Sequence, residues 1–268
     1  MKFVTLRELY SYCSRGCWGR VRLRACTPPV RESHPGEAGG LSPSRKLIID
    51  SDTGADDSSA IILAASSKDV ELLGVTVLVG NVDLEQSAAN ALMALEMAGS
   101  DARVYKGASE NASGETIEAS SVFGNDGMGE ADLVHPKGQA EEKDAVNFIL
   151  EMVSQYPNEV EIIMLGPATN TAKAIERDPE TMKQVKMIWS MGTTGLGPGN
   201  ASPVAEFNVY ADPVAYKTLL TYAQVIFYQQ GFTYDVVNND FDYNVTLVAR
   251  VDKENYFSLF LESIRSIA

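Results

Sequence analysis

Cysteine, histidine and basic residues are the scarce components of this 268-residue chain, and each scarcity removes a class of chemistry. The three cysteines, Cys13, Cys17 and Cys26, all lie near the N-terminus, so the remaining sequence has no thiol for a disulfide framework, a thiolate metal centre or a cysteine nucleophile. A reducing compartment is the simpler setting, and a cytoplasmic location is expected. The two histidines, His34 and His135, offer no imidazole cluster for a transition metal. Lys and Arg number 22 against 36 Asp and Glu, a formal net charge of −14, so the chain repels nucleic-acid phosphate and anionic lipid and is expected to bind neither nucleic acid nor membrane. No apolar run approaches the roughly 20 residues that cross a bilayer. What is present is the composition of an ordinary folded enzyme, 45% hydrophobic and 22% charged, in a length that suits one large domain or two small ones.

The few basic residues are concentrated at one end. Residues 1–46 hold nine of them against three acidic side chains, Glu8, Glu32 and Glu37, which leaves the rest of the chain strongly acidic. Segment 1–44 is rich in Arg, Ser, Gly and Pro, shows no sustained apolar period, and closes with the breaker-rich Pro35-Gly36-Glu37-Ala38-Gly39-Gly40. It reads as a basic, disordered N-terminal extension or as an organelle leader. The alternative of a metal cluster from Cys13, Cys17, Cys26 and His34 matches known zinc spacings poorly.

From Lys46 onward, short β-rich runs alternate with longer segments of helical period. This is the pattern of an α/β fold with an open, mostly parallel, Rossmann-like sheet and helices on both faces. Strands are expected over Lys46–Ile49, Val70–Val77, Ala102–Tyr105, Val160–Leu165, Val185–Ser190 and Gln224–Tyr228. Helices are expected over Ser58–Ser66, Leu84–Ala98, Glu142–Gln155, Thr169–Glu176 and Pro213–Tyr222. In the second of these, Ala88, Leu92, Leu95 and Met97 share a face and are assigned to core packing.

Ligands of such sheets sit outside the carboxyl ends of the strands, and the unusual polar residues of this chain gather there. The first strand runs into Asp50-Ser51-Asp52-Thr53-Gly54-Ala55-Asp56-Asp57, the second into Gly80-Asn81, and the fourth into Gly166-Pro167. The fifth leads to a Gly-rich loop ending Asn200…Glu206-Phe207-Asn208. Four carboxylates in eight residues after a buried strand require a compensating cation if they stand side by side, and oxygen donors favour Ca²⁺ or Mg²⁺. Helix capping by Asp56 and Asp57 accounts for part of the cluster. An Asp-x-Asp opening also occurs in haloacid dehalogenase-type phosphotransferases; an EF-hand is excluded because Gly54 falls one place early and no Glu closes the loop. Glu206 and Asn208, two apart, face the same way if their segment is extended.

The order of motifs chooses among these. The chain resembles the inosine–uridine-preferring nucleoside hydrolase family, whose fingerprint is Asp-x-Asp-Pro-Gly-x-Asp-Asp after the first strand; Thr53 stands here where Pro is usual. Further matches follow in the family's order: Val77-Leu78-Val79-Gly80-Asn81, Phe123-Gly124-Asn125-Asp126-Gly127-Met128-Gly129, Leu165-Gly166-Pro167-Ala168-Thr169-Asn170, Met191-Gly192, and Ala205-Glu206-Phe207-Asn208-Val209-Tyr210-Ala211-Asp212-Pro213. The resemblance implies Ca²⁺ held by Asp52, Asp57 and the backbone carbonyl of Leu165, with Asp52 as the base that activates water. It implies Asp56 on the ribose 2′- and 3′-hydroxyls, a sugar pocket of Asn81, Met191, Asn200, Glu206 and Asn208, and Asp50 as support from behind. The implied reaction is hydrolysis of a nucleoside to free base and ribose, by a protein that forms homo-dimers or tetramers.

Two departures carry consequences. Members of the family have a late His-Asp-Pro-like motif whose Asp completes the metal shell and whose His assists the departing base. No such motif is found here, so the domain over 45–268 is expected to be incomplete at its C-terminal end, with Asp235, Asp240 and Asp242 read as surface acids. A shortened chain that binds nucleoside or ribose without turnover is therefore the alternative. Phe123 replaces a His of many relatives, which makes the base-side wall more apolar and suited to stacking.

Overall fold

The computed structural model describes residues 45–114, 116–193, 198–222, 225–229 and 245–248. The extension over 1–44, its cysteines, Asp235, Asp240 and Asp242 lie outside the described residues. Seven strands form one sheet: β1 (Arg45–Ser51), β2 (Val70–Val77), β3 (Val104–Lys106), β4 (Val160–Met164), β5 (Met187–Thr193), β6 (Val225–Gln229) and β7 (Val245–Val248). Every pairing is parallel, and the order is β3-β2-β1-β4-β5-β6-β7. The six expected strands are present with their ends shifted by up to three residues; β7 was not anticipated.

Three helices follow the first strands: α1 (Ala55–Ser66), α2 (Leu84–Met97) and the single turn α3 (Ser120–Phe123). Then come α4 (Ala145–Gln155), α5 (Thr169–Arg177), α6 (Pro179–Met182), α7 (Phe207–Ala211) and α8 (Pro213–Tyr222). Helix α1 begins three residues before its expected start, which brings Asp56 and Asp57 into its first turn, where carboxylates meet the positive end of the helix. Helix α4 begins later than Glu142 because Asp144 caps it, accepting the Asn147 N–H at 3.1 Å. No described helix is long and apolar enough to cross a membrane.

Buried parallel strands have no polar face, and the central strands show this as continuous apolar runs. In β1, Leu47 and Ile49 join one layer with Ile61 and Ile62 of α1 and Ala88, Ala91 and Leu95 of α2. Ile48 points to the other layer, with Phe148, Ile149 and Val153 of α4, Ile175 of α5 and Leu219 of α8. The core assignment for α2 holds for Ala88 and Leu95, whereas Met97 ends the helix and is 56% exposed. Away from the loops that carry the acidic cluster, Glu161 of β4 is gripped by Arg45 at 2.5 Å, Lys186 at 3.1 Å and the Trp189 indole N–H at 3.0 Å. Burial alone would raise its pKa, but these partners outweigh it and hold the carboxyl at about 2.

Ile162 is fully buried on β4 between β1 and β5. The Ile162→Ala variant is expected to lose about 2–5 kcal/mol of stability in urea denaturation; a loss below about 1 kcal/mol would show that the core under β4 can collapse to fill the space.

Candidate active site

The strand order reverses between β1 and β4, and the crevice outside their carboxyl ends is where a doubly wound sheet binds its ligand. A cleft of about 410 Å³ opens there, lined by Asp56, Asp57, Ala60, Asn81, Ala119, Val122, Phe123, Leu165, Met191, Asn200, Glu206, Phe207 and Asn208. Every residue expected in the sugar pocket therefore reaches one cavity. Asp52 is the exception: it is fully buried and lies beneath the cleft floor.

The backbone packs tightly around Asp52. One carboxylate oxygen, Oδ2, accepts the Asn81 N–H at 2.6 Å, while Oδ1 has no hydrogen-bond donor. A Cβ at Gly80 would fall 2.1 Å from Oδ2, and one at Gly166 would fall 2.8 Å from Oδ1, so only glycine lets the loops after β2 and β4 close over this carboxylate. The Asp57 carboxyl lies within hydrogen-bonding range of Asp52, and its Oδ2 also accepts the Gly54 N–H at 3.1 Å and the Ser51 hydroxyl at 3.2 Å. Burial pushes Asp52 up to about 7 against the pull of the Asn81 N–H, with Asp56 adding to the rise. Burial, followed by the charges of Asp52 and Asp56, holds Asp57 well above the usual carboxylate range.

The four carboxylates do not stand side by side. Asp50 points away from the cleft floor to Thr76 Oγ1 at 2.6 Å and Asn170 Nδ2 at 2.8 Å, and burial raises it to about 6 in spite of those donors. Asp56 is exposed at the cleft wall. The charge problem thus narrows to the pair Asp52 and Asp57, and among the described residues no group of three or more His, Cys, Asp or Glu converges as a metal cluster.

The condition under which Glu206 and Asn208 would face the same way, an extended segment, is not met, because a helix starts between them. Glu206 precedes α7 and caps it, its Oε2 accepting the N–H groups of Asn208 at 2.8 Å and Val209 at 3.3 Å, while Oε1 is buried without a donor. Burial raises this carboxyl to about 7. Asn208 reaches the cleft from the first turn: its Nδ2 donates to the carbonyls of Leu165 at 2.7 Å and Met191 at 3.0 Å, tying the loop after β4 to β5. His135 pairs with Asp132 on the surface and does not line the cleft.

Two residues escaped the sequence reading. Ser87 and Asn90, three apart on α2, turn buried polar groups toward the loop after β1. Ser87 donates to the Ser51 carbonyl at 3.3 Å and sits 3.5 Å from Thr53 Oγ1; Asn90 Nδ2 donates to the Thr53 carbonyl at 2.8 Å. The available signal was an Asn and a Ser on the apolar side of an otherwise Ala- and Leu-rich helix, since a buried amide needs partners.

A doubly wound α/β sheet with a cleft at its switch point, whose described lining residues include Asp56, Asp57 and Glu206 and no Lys or Arg, defines an α/β protein with an acidic small-molecule cleft. The chain belongs to the family described as inosine-uridine preferring nucleoside hydrolase, whose profile matches residues 47–263. It is similar to uridine nucleosidase 1 of Arabidopsis thaliana, 42% identical over 183 residues that cover 68% of this chain and 54% of the relative. It is also similar to the pyrimidine-specific ribonucleoside hydrolase RihB of Escherichia coli, 32% identical with 66% and 56% covered. Among solved structures, the plant nucleoside hydrolase PpNRh1 superposes with a TM-score of 0.67 at 34% identity, covering 70% of this chain and 60% of that one. A purine-preferring ribonucleoside hydrolase from Gardnerella vaginalis gives 0.66 at 34%, with 69% and 60% covered. The chain spans about half the length of the curated relatives it matches.

Asp52, Asp57 and Glu206 all bind protons more tightly folded than unfolded. Their contribution favours the fold at low pH and is lost as pH rises from the unfolded carboxylate value near 4 toward the raised folded values, about 7 for Asp52 and Glu206. Glu161, held at about 2, is ionised in both states over most of that span and adds little slope. With divalent ions chelated, the thermal midpoint should therefore fall by several degrees between pH 5 and pH 8. Asp52→Asn, which stays neutral, should flatten that fall and unfold at a higher temperature than the parent at pH 8; a midpoint that rises over the range would contradict the assignment of these pKa directions.

Proposed function

We propose that this chain acts as a metal-dependent N-ribohydrolase, converting a ribonucleoside and water to free base and ribose. The observation that carries the reading is the buried pair Asp52 and Asp57, with Asp52 Oδ1 lacking any donor among the described residues, beneath a cleft whose described lining includes further carboxylates and no Lys or Arg. A hard divalent cation fits such oxygens, and Ca²⁺ would be held by Asp52, Asp57 and the Leu165 carbonyl. When bound, the ion supplies the missing positive charge and lowers the pKa of a neighbouring water.

The chain's own residues do the rest. Asp52, raised toward neutrality, accepts the proton of the attacking water. Asp56 at the exposed wall accepts hydrogen bonds from the ribose 2′- and 3′-hydroxyls, and Asn81, Met191, Asn200, Glu206 and Asn208 enclose the sugar. Cleavage of an N-ribosidic bond makes the sugar oxocarbenium-like, and fixed carboxylate and amide oxygens around it favour that charge over the neutral ground state. Val122 and Phe123 give the base an apolar wall on which to stack. Among the described residues the lining has no cationic side chain, which argues against phosphotransfer through an aspartyl phosphate, since that needs such a group to hold phosphate. One observation favours binding without turnover: Asp52 is covered, so a base in that position reaches water only if the floor opens.

The deciding measurement is release of free base from inosine and uridine by the 268-residue chain, with Ca²⁺ and with a chelator. Turnover should be chelator-sensitive, and Asp52→Ala should lower it by about 10²–10⁴-fold with an unchanged circular dichroism spectrum. Undiminished turnover in Asp52→Ala sinks the assignment of the base; nucleoside binding without base release supports the silent alternative.

A further inference from the structure

Asn90 contacts two neighbouring loops that both contribute to the lining of the same cleft. It is fully buried on α2, and its single amide nitrogen donates to the Thr53 carbonyl at 2.8 Å and to the Asp126 carbonyl at 2.9 Å. Thr53 belongs to the loop that carries Asp52, Asp56 and Asp57. Asp126 belongs to the loop over 123–130 that begins with Phe123, the apolar wall. The amide is oriented by Gln86, whose Nε2 donates to Asn90 Oδ1 at 2.9 Å from one turn earlier on α2, so the two donors cannot flip away from the carbonyls without losing this bond.

The second loop is shaped for this contact. Gly124, Gly127 and Gly129 all have positive φ, and a Cβ on Gly127 would meet Asn90 Nδ2 at 2.9 Å and Val82 Cγ1 at 3.0 Å. Asp126 Oδ1 accepts the N–H groups of Met128 at 2.7 Å and Glu130 at 2.9 Å, and Gly129 donates to the Phe123 carbonyl at 2.7 Å. The loop is thus held together by its own bonds, and Asn90 fastens it as a unit to the carboxylate loop.

We propose that Asn90 is a positioning residue that sets the separation between the carboxylate floor and the Phe123 wall, and so governs how tightly the base of a nucleoside is held relative to its sugar. The proposal rests on the hydrolase reading of the cleft. Loss of the amide donors releases the Phe123 loop, while Asp56, held in the first turn of α1, and Glu206 and Asn208, held at α7 and against the Leu165 and Met191 carbonyls, still receive ribose. A residue that serves folding alone would weaken both ligands together.

The test uses Asn90→Leu, close in shape but without donors, and Gln86→Ala, which removes only the orienting bond. In Asn90→Leu, KM for inosine and uridine should rise tenfold or more with kcat changed by less than threefold, while inhibition by free ribose stays within threefold of the parent. Gln86→Ala should shift KM in the same direction by a smaller factor. Backbone amides of Gly127, Met128 and Gly129 should exchange faster in both variants, with those of β1 and β4 unchanged. Equal weakening of ribose and nucleoside, or unaltered exchange at those three amides, would overturn the proposal. Absence of turnover in the unaltered chain would sink the hydrolase reading alone, since the exchange measurement decides independently whether Asn90 couples the loops; should Asn90→Leu not fold, Gln86→Ala carries the same two readouts.

Discussion

The carboxyl group of Asp52 is enclosed at the ends of β1 and β4, beside the carboxyl of Asp57, with the Asn81 N–H donating to one of its oxygens. An arrangement that disfavours ionisation so strongly persists only if its surroundings over-determine it. They do so from several directions. The sheet fixes the end of β1 between two strands, glycine at positions 80 and 166 brings neighbouring loops onto the carboxyl, and Asp57 is pinned at the start of α1 by Gly54 and Ser51. Behind them, Thr76 and Asn170 occupy Asp50 so that it does not join the pair.

The frame was legible because it depends on local patterns. Buried parallel strands appear as apolar runs, and polar residues at their carboxyl ends mark the ligand side whatever the chemistry. Two features were not legible. The sequence leaves the conformation at Glu206 open, since glutamate is not a usual N-cap; its side chain nevertheless caps α7, and Asn208 reaches the cleft from a helix. Asn90 was hidden because its second partner, Asp126, is 36 residues away in a loop whose course no local rule supplies. A polar residue on an apolar helical face shows that a partner exists but not which one.

The acidic loop illustrates how spacing can overstate crowding. Four aspartates in eight residues appear to compete for one volume, yet the bonds from Thr76 and Asn170 hold Asp50 away, the turn into α1 carries Asp56 to the surface, and two are left together. Thr53 is accommodated by the same polar face of α2. Its hydroxyl lies 2.9 Å from the Ser51 hydroxyl and 3.5 Å from that of Ser87, so a group that would be costly to bury is placed among partners.

The two glycines around Asp52 constrain how this cleft can diversify. Any side chain at position 80 or 166 displaces the carboxyl, so variation in ligand choice has to accumulate elsewhere in the lining, where Val122 is 73% exposed and Phe123 leads into a loop with its own internal bonds. Under the proposed hydrolase reading, the sugar end of the cleft is the part closed to substitution and the base end the part open to it.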